Sequence, residues 1–273
     1  MWKKQLKKGL VIGKFELIKQ LGEGTTGVVF KAKNLETKEE VALKIGDTAG
    51  TLYNEAHTRR KIGDVEGLYT IIDSEKADPN LGIKYFSMPL YEKTLKDFYE
   101  SNTELFTPKY IYKLISKIIV TLYDIHEAGY VFRDLSLNNL MNLGKKWYLI
   151  DAGASLPLSF KLKTGFTGTP AFSSINALKG GYHNIKDDLE SLGYIMLYLF
   201  NGTLPWLENQ PTKKATAKYY TELGDSRKEQ TLALIKKLDN KKLKKFFKLI
   251  YKEDDQNSNI YQDLIDILKE KEE

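Results

Sequence analysis

The apolar period of this chain changes once, near residue 90, and that change constrains the fold more than any other feature. Before it, apolar residues come in short runs bounded by glycine. Residues 15–21 and 28–33 flank the glycine-bearing stretch 22–27, and 40–45 forms a third run. Residues 51–62 carry a helical pattern, with Leu52, Ala56, Arg59 and Arg60 flanking Glu55, and 69–76 and 83–88 read as two more strands. From Thr94 the periods lengthen. Pro108 opens a run in which Ile111, Leu114, Ile115, Ile118, Ile119, Leu122 and Ile125 recur as in a buried helix. A short β-rich patch at 140–150 precedes further helical stretches at 187–200 and 260–268. The expected class is α+β: a five-stranded antiparallel sheet with one helix over 1–88, a connection at 89–93, and a mainly helical part over 94–273.

Composition mostly excludes. The 273 residues suffice for one large domain or two modest lobes with ample core. Cysteine is absent, which removes disulfides and thiolate metal sites. The basic first eight residues are followed only by Leu10-Val11-Ile12 before Gly13, too short for a signal-peptide core. The longest later apolar run, 192–200, falls short of the roughly 20 residues that span a bilayer. A soluble, intracellular monomer with no membrane partner is expected, its compartment open. A net charge of +6 and a sequence pI of about 9.0 favour acidic partners, with a solvated lysine-rich surface as the plain alternative. In 241–252 the residues Leu243, Phe246, Phe247, Leu249 and Ile250 share one helical face. A docked helix with its lysines outward is expected there, and nucleic acid is not an expected partner.

Four polar strings follow in order. Leu21-Gly22-Glu23-Gly24-Thr25-Thr26-Gly27-Val28-Val29 has the G-x-G-x-x-G-x-V form, whose glycines let backbone amides approach phosphates. Dinucleotide-binding folds share this spacing, but there a helix follows the third glycine, and here a strand does. Val41-Ala42-Leu43-Lys44 ends the third run with a lysine. Alone it reads as an edge-strand surface lysine; after the glycine loop it reads as a phosphate ligand, with Glu55 on the following helix as its partner. Glu66 comes too late and Asp47 too early for that role. Then come Phe132-Arg133-Asp134 with Asn139, and 17 residues beyond Asp134, Asp151-Ala152-Gly153. Asp134 is placed to orient a hydroxyl, Asn139 and Asp151 to hold magnesium. His57, His126 and His183 are scattered without zinc-ligand spacing, and His126 is expected to cap or pack the long helix.

This order of strings resembles the eukaryotic protein kinase superfamily over nearly the whole chain. Gly168-Thr169-Pro170-Ala171-Phe172-Ser173-Ser174-Ile175-Asn176 looks like the end of a casein kinase 1 activation segment, with S-I-N in place of A-P-E. Asp187-Asp188-Leu189-Glu190-Ser191-Leu192-Gly193-Tyr194 and Gly202-Thr203-Leu204-Pro205-Trp206 look like the same group's central helix and its exit. The group includes the vaccinia-related kinases. The resemblance implies a bilobal fold and an ATP- and Mg2+-dependent serine/threonine protein kinase acting on acidic or already phosphorylated proteins. It implies that Lys44 grips the α/β-phosphates, Glu55 holds Lys44, Asp134 orients the hydroxyl with Thr169 bonded to it, and Asn139 and Asp151 bind the metal. The nucleotide would meet Leu21, Gly22, Glu23, Gly24 and Gly27 of the loop, Val29 and Ala42 above the adenine, and Met141 below it. Met88 would be the gatekeeper, and the Pro89 carbonyl and Tyr91 amide would pair with the adenine edge.

Three positions depart from the pattern. Phe132 replaces a histidine and Ala152 a phenylalanine, two residues that stack in one apolar column in the family; an exchange of volume between them is expected. Ser136 stands where the group carries a lysine that touches the transferring phosphate, a loss worth about 10²–10³ in rate. That keeps a weak kinase or a nucleotide-binding pseudokinase as the alternative. A kinase-like enzyme acting on a small molecule fits less well, because such enzymes lack the 168–176 segment. Thr164, Thr167 and Ser173 are candidates for phosphorylation near Arg133, which is expected to contact an anion or neighbouring backbone.

Overall fold

The computed structural model describes residues 2–24, 26–47, 50–163, 165–207, 216–252 and 259–269, so Thr25 of the glycine loop and Thr164 lie outside the described residues. The elements in chain order are β1 (Val11–Ile12), β2 (Phe15–Glu23), β3 (Val28–Asn34), β4 (Glu40–Asp47), α1 (Thr51–Ile62), β5 (Asp73–Asp78) and β6 (Ile83–Met88). They continue as α2 (Leu95–Ser101), α3 (Pro108–Glu127), β7 (Tyr130–Val131), β8 (Leu140–Leu143), β9 (Lys146–Leu149) and β10 (Leu156–Pro157). The last are α4 (Ile175–Leu178), α5 (Ile185–Asn201), α6 (Ala217–Leu238), α7 (Lys241–Ile250) and α8 (Ile260–Lys269). They form two compact units: Met1–Lys93 with Met141–Gly153, and Thr94–Leu140 with Ala154–Glu273.

The first unit is built on an antiparallel sheet ordered β1-β2-β3-β4-β6-β5. It has six strands where five were expected. The extra strand pairs Val11 with Glu16 and Ile12 with Phe15, and Ile12 is fully buried. Two residues are too few for an alternating pattern to register in sequence. Gly13 makes the turn at a φ of 56°, and a Cβ there would lie 2.1 Å from the Tyr85 hydroxyl. The strand expected at 69–76 instead begins at Asp73. The backbone upstream is engaged elsewhere: Leu149 N–H donates to the Gly67 carbonyl at 2.7 Å and Tyr69 N–H to the Leu149 carbonyl at 2.9 Å.

Alternation along β4 separates two roles. Val41, Leu43 and Ile45 join Phe15, Leu17, Phe30 and Ile83 in the sheet core, so Ala42 and Lys44 face the other way. The segment 141–153 returns to this unit late in the chain. Glu92 N–H donates to the Asn142 carbonyl (2.9 Å) and Asn142 N–H to the Lys93 carbonyl (3.0 Å), while Lys93 N–H donates to Asn142 Oδ1 (3.0 Å). A division read in linear order, at 89–93, misses this return.

In the second unit each long helix starts where its sequence says it should. Thr107 caps α3 with Pro108 in the first turn, Thr216 caps α6, and Asn240 caps α7. Asn184 and Asp187 form a reciprocal capping box at α5. Such caps contribute about 1 kcal/mol each. Buried on nearly all sides, α5 packs against α3 and α7. The expected docked helix is α7, with Leu243, Phe246, Phe247 and Ile250 inward; its lysines are not all outward as expected, since Lys242 is buried and donates to the Leu268 carbonyl at 3.0 Å. Among the described residues no helix is long and apolar enough to cross a membrane.

At Gly193 on α5, a Cβ would stand 2.7 Å from Phe247 Cζ and 2.9 Å from Phe246 Cε1. Gly193→Ala should therefore overpack the α5–α7 contact and cost about 1–3 kcal/mol, measured as a lower urea midpoint with an unchanged slope.

Candidate active site

Lys44 is 5% exposed and Glu55 only 1%. A buried ammonium is tolerable only when paired. Lys44 Nζ lies 2.6 Å from Glu55 Oε2 and 3.1 Å from Asp151 Oδ2. Burial pushes the Glu55 carboxyl up to about 7 despite the pull of Lys44. Burial also opposes charge on Lys44, but the attractions of Glu55 and Asp151 outweigh it and hold its pKa above the usual value. Both shifts are upward; the one that follows from two facing carboxylates is a protonated Lys44. Asp151 reaches this position through a left-handed backbone, φ 66°. Its Oδ1 accepts a hydrogen bond from the Gly153 amide at 3.1 Å, and a Cβ on Gly153 would sit 2.9 Å from that oxygen.

The glycine loop joins β2 to β3, with Gly22 opposite Val29 and Glu23 opposite Val28. Gly24 N–H donates to the Gly27 carbonyl at 2.8 Å. Gly27 is required internally, since a Cβ would meet the Ile45 carbonyl at 2.2 Å. Beside Gly22 and Gly24 there is open space, which leaves room for a ligand to approach the backbone. Leu21 is exposed, and the Glu23 carboxylate is ion-paired with Lys3 at 2.5 Å, turned to a surface partner. Ala42 lies opposite Met88 on β6, both buried; Val29 and Met141 are half-buried. Tyr91 N–H donates to the Pro89 carbonyl at 3.1 Å, so these two groups satisfy each other. The Tyr91 side chain is buried against Tyr148, 5.3 Å between ring centres.

The second unit holds the other string. Asp134 Oδ1 accepts from the Thr169 hydroxyl at 2.7 Å and Oδ2 from Asn139 Nδ2 at 2.9 Å. The Asn139 amide nitrogen is thus turned inward, and its carbonyl oxygen is the atom with which it can act as a ligand. The Asn139 amide oxygen and, in the other unit, the Asp151 carboxylate are each hard oxygen donors of the kind Mg2+ accepts. Among the described residues no cluster of three or more histidines, cysteines or acids could hold a metal alone. Ser136 is buried, and its Oγ accepts from the Asn139 amide at 3.2 Å, so it caps the turn and supplies no cation.

What positions Asp134 is Asp188 of α5. Its Oδ2 accepts from the Phe132 amide at 2.6 Å and its Oδ1 from the Arg133 amide at 2.8 Å. Arg133 is left-handed, φ 71°, a strain of about 1–3 kcal/mol that these bonds offset. His126 packs as expected, with Nε2 2.9 Å from Asp188 Oδ2 and Nδ1 2.7 Å from the Tyr261 hydroxyl. Arg133 donates to the Ala154 carbonyl at 3.3 Å, a neighbouring-backbone contact. Asp188 had a readable signal: two adjacent acids opening an apolar helix have to be bonded to something. Ser173 does not remain a modification candidate, since it is buried and donates to the Thr169 carbonyl at 2.9 Å; Thr167 is exposed.

The segment after Thr169 is fixed by α5 and α6. Ser174 donates to Asp187 Oδ1 (2.6 Å), Asn176 to Asp187 Oδ2 (3.0 Å), and the Ile175 amide to Glu190 (3.2 Å). Fully buried Arg227 donates to the carbonyls of Ala171 and Pro170, both at 3.0 Å, with its guanidinium 4.0 Å from the Trp206 ring centre. Arg227 carried no local sequence signal, although the carbonyls it holds lie in the 168–176 string. Among known families, the model of the protein kinase domain matches residues 15–270.

Burial raises the carboxyl pKa of Glu190 to about 7 and of Asp187 to about 6. Here the folded state holds protons that the unfolded chain releases near 4–4.5. The stabilisation is complete below that range and is lost as pH rises through 6–7. Urea midpoints should fall from pH 5 to pH 7.5, and Glu190→Gln should flatten part of that slope. Asp188→Ala, which frees two strained amides and an imidazole in a buried site, should cost about 3 kcal/mol or more.

Proposed function

The chain belongs to the protein kinase family, and from that premise we propose an ATP- and Mg2+-dependent serine/threonine kinase of the casein kinase 1 group. The observation that carries this reading is the buried ammonium of Lys44 between Glu55 and Asp151. A fold holding only a core would gain nothing from such a cluster, whereas a phosphate-binding lysine needs its partner carboxylate in place. Lys44 holds the nucleotide phosphates, and the open backbone beside Gly22 and Gly24 supplies amide donors to them. Asp134, oriented by Thr169, takes the proton of the attacking hydroxyl as the new O–P bond forms and the bond from the γ-phosphorus to the β–γ bridging oxygen breaks, releasing ADP. Asn139 and Asp151 would each offer an oxygen to Mg2+, which would neutralise developing charge when bound. The hydroxyl contact of Thr169 with Asp134 supports serine/threonine substrates. The anchoring of Ser174, Ile175 and Asn176 to α5 supports the casein kinase 1 assignment and a peptide substrate. The +6 charge supports acidic or phosphorylated ones.

A second reading, a weak kinase acting as a nucleotide-binding scaffold, is favoured by one observation. Ser136 is buried as a turn cap where a cation would stabilise the transferring phosphate.

Radiolabel transfer from Mg-ATP to casein separates the two. The first reading expects incorporation that Asp151→Asn and Lys44→Met each reduce at least 10²-fold. Nucleotide binding by calorimetry with no incorporation would establish the second. On a peptide array, acidic or phosphorylated flanks should be phosphorylated in preference to basic ones; the reverse order overturns the substrate assignment.

A further inference from the structure

Tyr69 belongs to no regular element, yet it is among the largest fully buried side chains. Its backbone is pinned at both groups. The amide donates to Leu149 (2.9 Å), two residues before Asp151, and the carbonyl accepts from Arg59 Nε on α1. Its ring stacks on Phe86, 6.5 Å between centres at 29°, and Phe86 lies opposite Lys44 in the β4–β6 register. The Arg59 guanidinium lies 5.6 Å from the ring centre. The hydroxyl then meets two groups. It donates to Glu55 Oε1 at 3.2 Å, the oxygen that does not face Lys44, and the Ala152 backbone amide faces it.

These contacts place one phenol against both carboxylate-bearing segments that grip Lys44. Ala152 has only a methyl group and is 1% exposed, so its surroundings are filled by neighbours, and Tyr69, paired with Leu149 of the same segment, is one whose hydroxyl its backbone faces. The geometry points to Tyr69 as a positioning residue: its hydroxyl locks the Glu55 carboxylate and the backbone following Asp151 into one arrangement, so that both acids reach Lys44 together. The lock needs a large, hydroxyl-bearing ring at 69 and a small residue at 152. A glutamate on a long side chain and an aspartate on a left-handed backbone would otherwise each have to be ordered separately, at an entropic cost. The catalytic part of the inference rests on the kinase reading; the structural part does not.

Tyr69→Phe removes one oxygen and keeps the ring. It should lower kcat about tenfold or more, as small misplacements of catalytic groups do, with a much smaller change in KM for ATP. Amide hydrogen exchange at Ala152 should speed up while exchange in α5 stays as it was. A purely structural role predicts a lower urea midpoint with kcat of the folded enzyme unchanged, and that result overturns the proposal. Unchanged exchange at Ala152 overturns it equally. Should the unaltered protein transfer no phosphate, the kinase reading fails by itself, and Ala152 exchange in Tyr69→Phe still decides the lock. Tyr69→Leu is the harsher companion variant; if it folds with faster Ala152 exchange and a kcat no lower than that of Tyr69→Phe, the hydroxyl rather than the ring is the effective part.

Discussion

Everything in the first unit is arranged around an ammonium removed from water. Taking Lys44 out of solvent is unfavourable by several kcal/mol before compensation, and the compensation comes from two acids on different parts of the chain. One arrives on a helix packed against β4, the other on a segment returning after residue 140. The sheet register, the hairpin of β8 and β9, and the left-handed turn at Asp151 are the means by which three distant residues meet, both carboxylates within 3.1 Å of the ammonium.

The second unit solves a related problem by other means. Its buried-loop carboxylate, Asp134, accepts hydrogen bonds from Thr169 and Asn139, which fix its orientation. The loop that presents it is strained at Arg133, and the strain is offset by a buried aspartate on the most enclosed helix. Rigidity therefore enters from below, through α5, and reaches the site through backbone amides. Because Asp188 bonds to the backbone amide of Phe132, the fully buried Phe132 side chain contributes packing and no hydrogen bond of its own.

Much of this was legible because it is local. The helix Thr51–Ile62 follows from its apolar period, the long helix α3 from Pro108 and a run of isoleucines, and the triad Lys44, Glu55 and Asp151 from ordered strings. Ordinary distance hid the rest. Tyr69 read as the first residue of a strand, since an aromatic before Thr70, Ile71 and Ile72 fits that period; only its pairing with Leu149, 80 positions on, shows otherwise. Arg227 drew no reading from the sequence and is fully buried. Ser173 looked accessible because hydroxyls in loops often are. β1 escaped because two residues make no period. For Tyr69 and Arg227 the deciding partner lies far along the chain, where propensity carries no information; for Ser173 and β1 it lies within five residues, and it is burial that a short pattern does not show.

On the proposed reading, in which the Pro89 carbonyl and the Tyr91 amide meet an adenine edge, their mutual bond has a consequence for selectivity among small molecules. Proline offers no N–H, and the Tyr91 amide is occupied by the Pro89 carbonyl. A flat heterocycle with only an acceptor would have to break that internal bond for a single new one, a near-even exchange of about 1 kcal/mol either way. A heterocycle presenting a donor beside an acceptor trades one bond for two. Discrimination between the two chemotypes is thus written into the resting backbone.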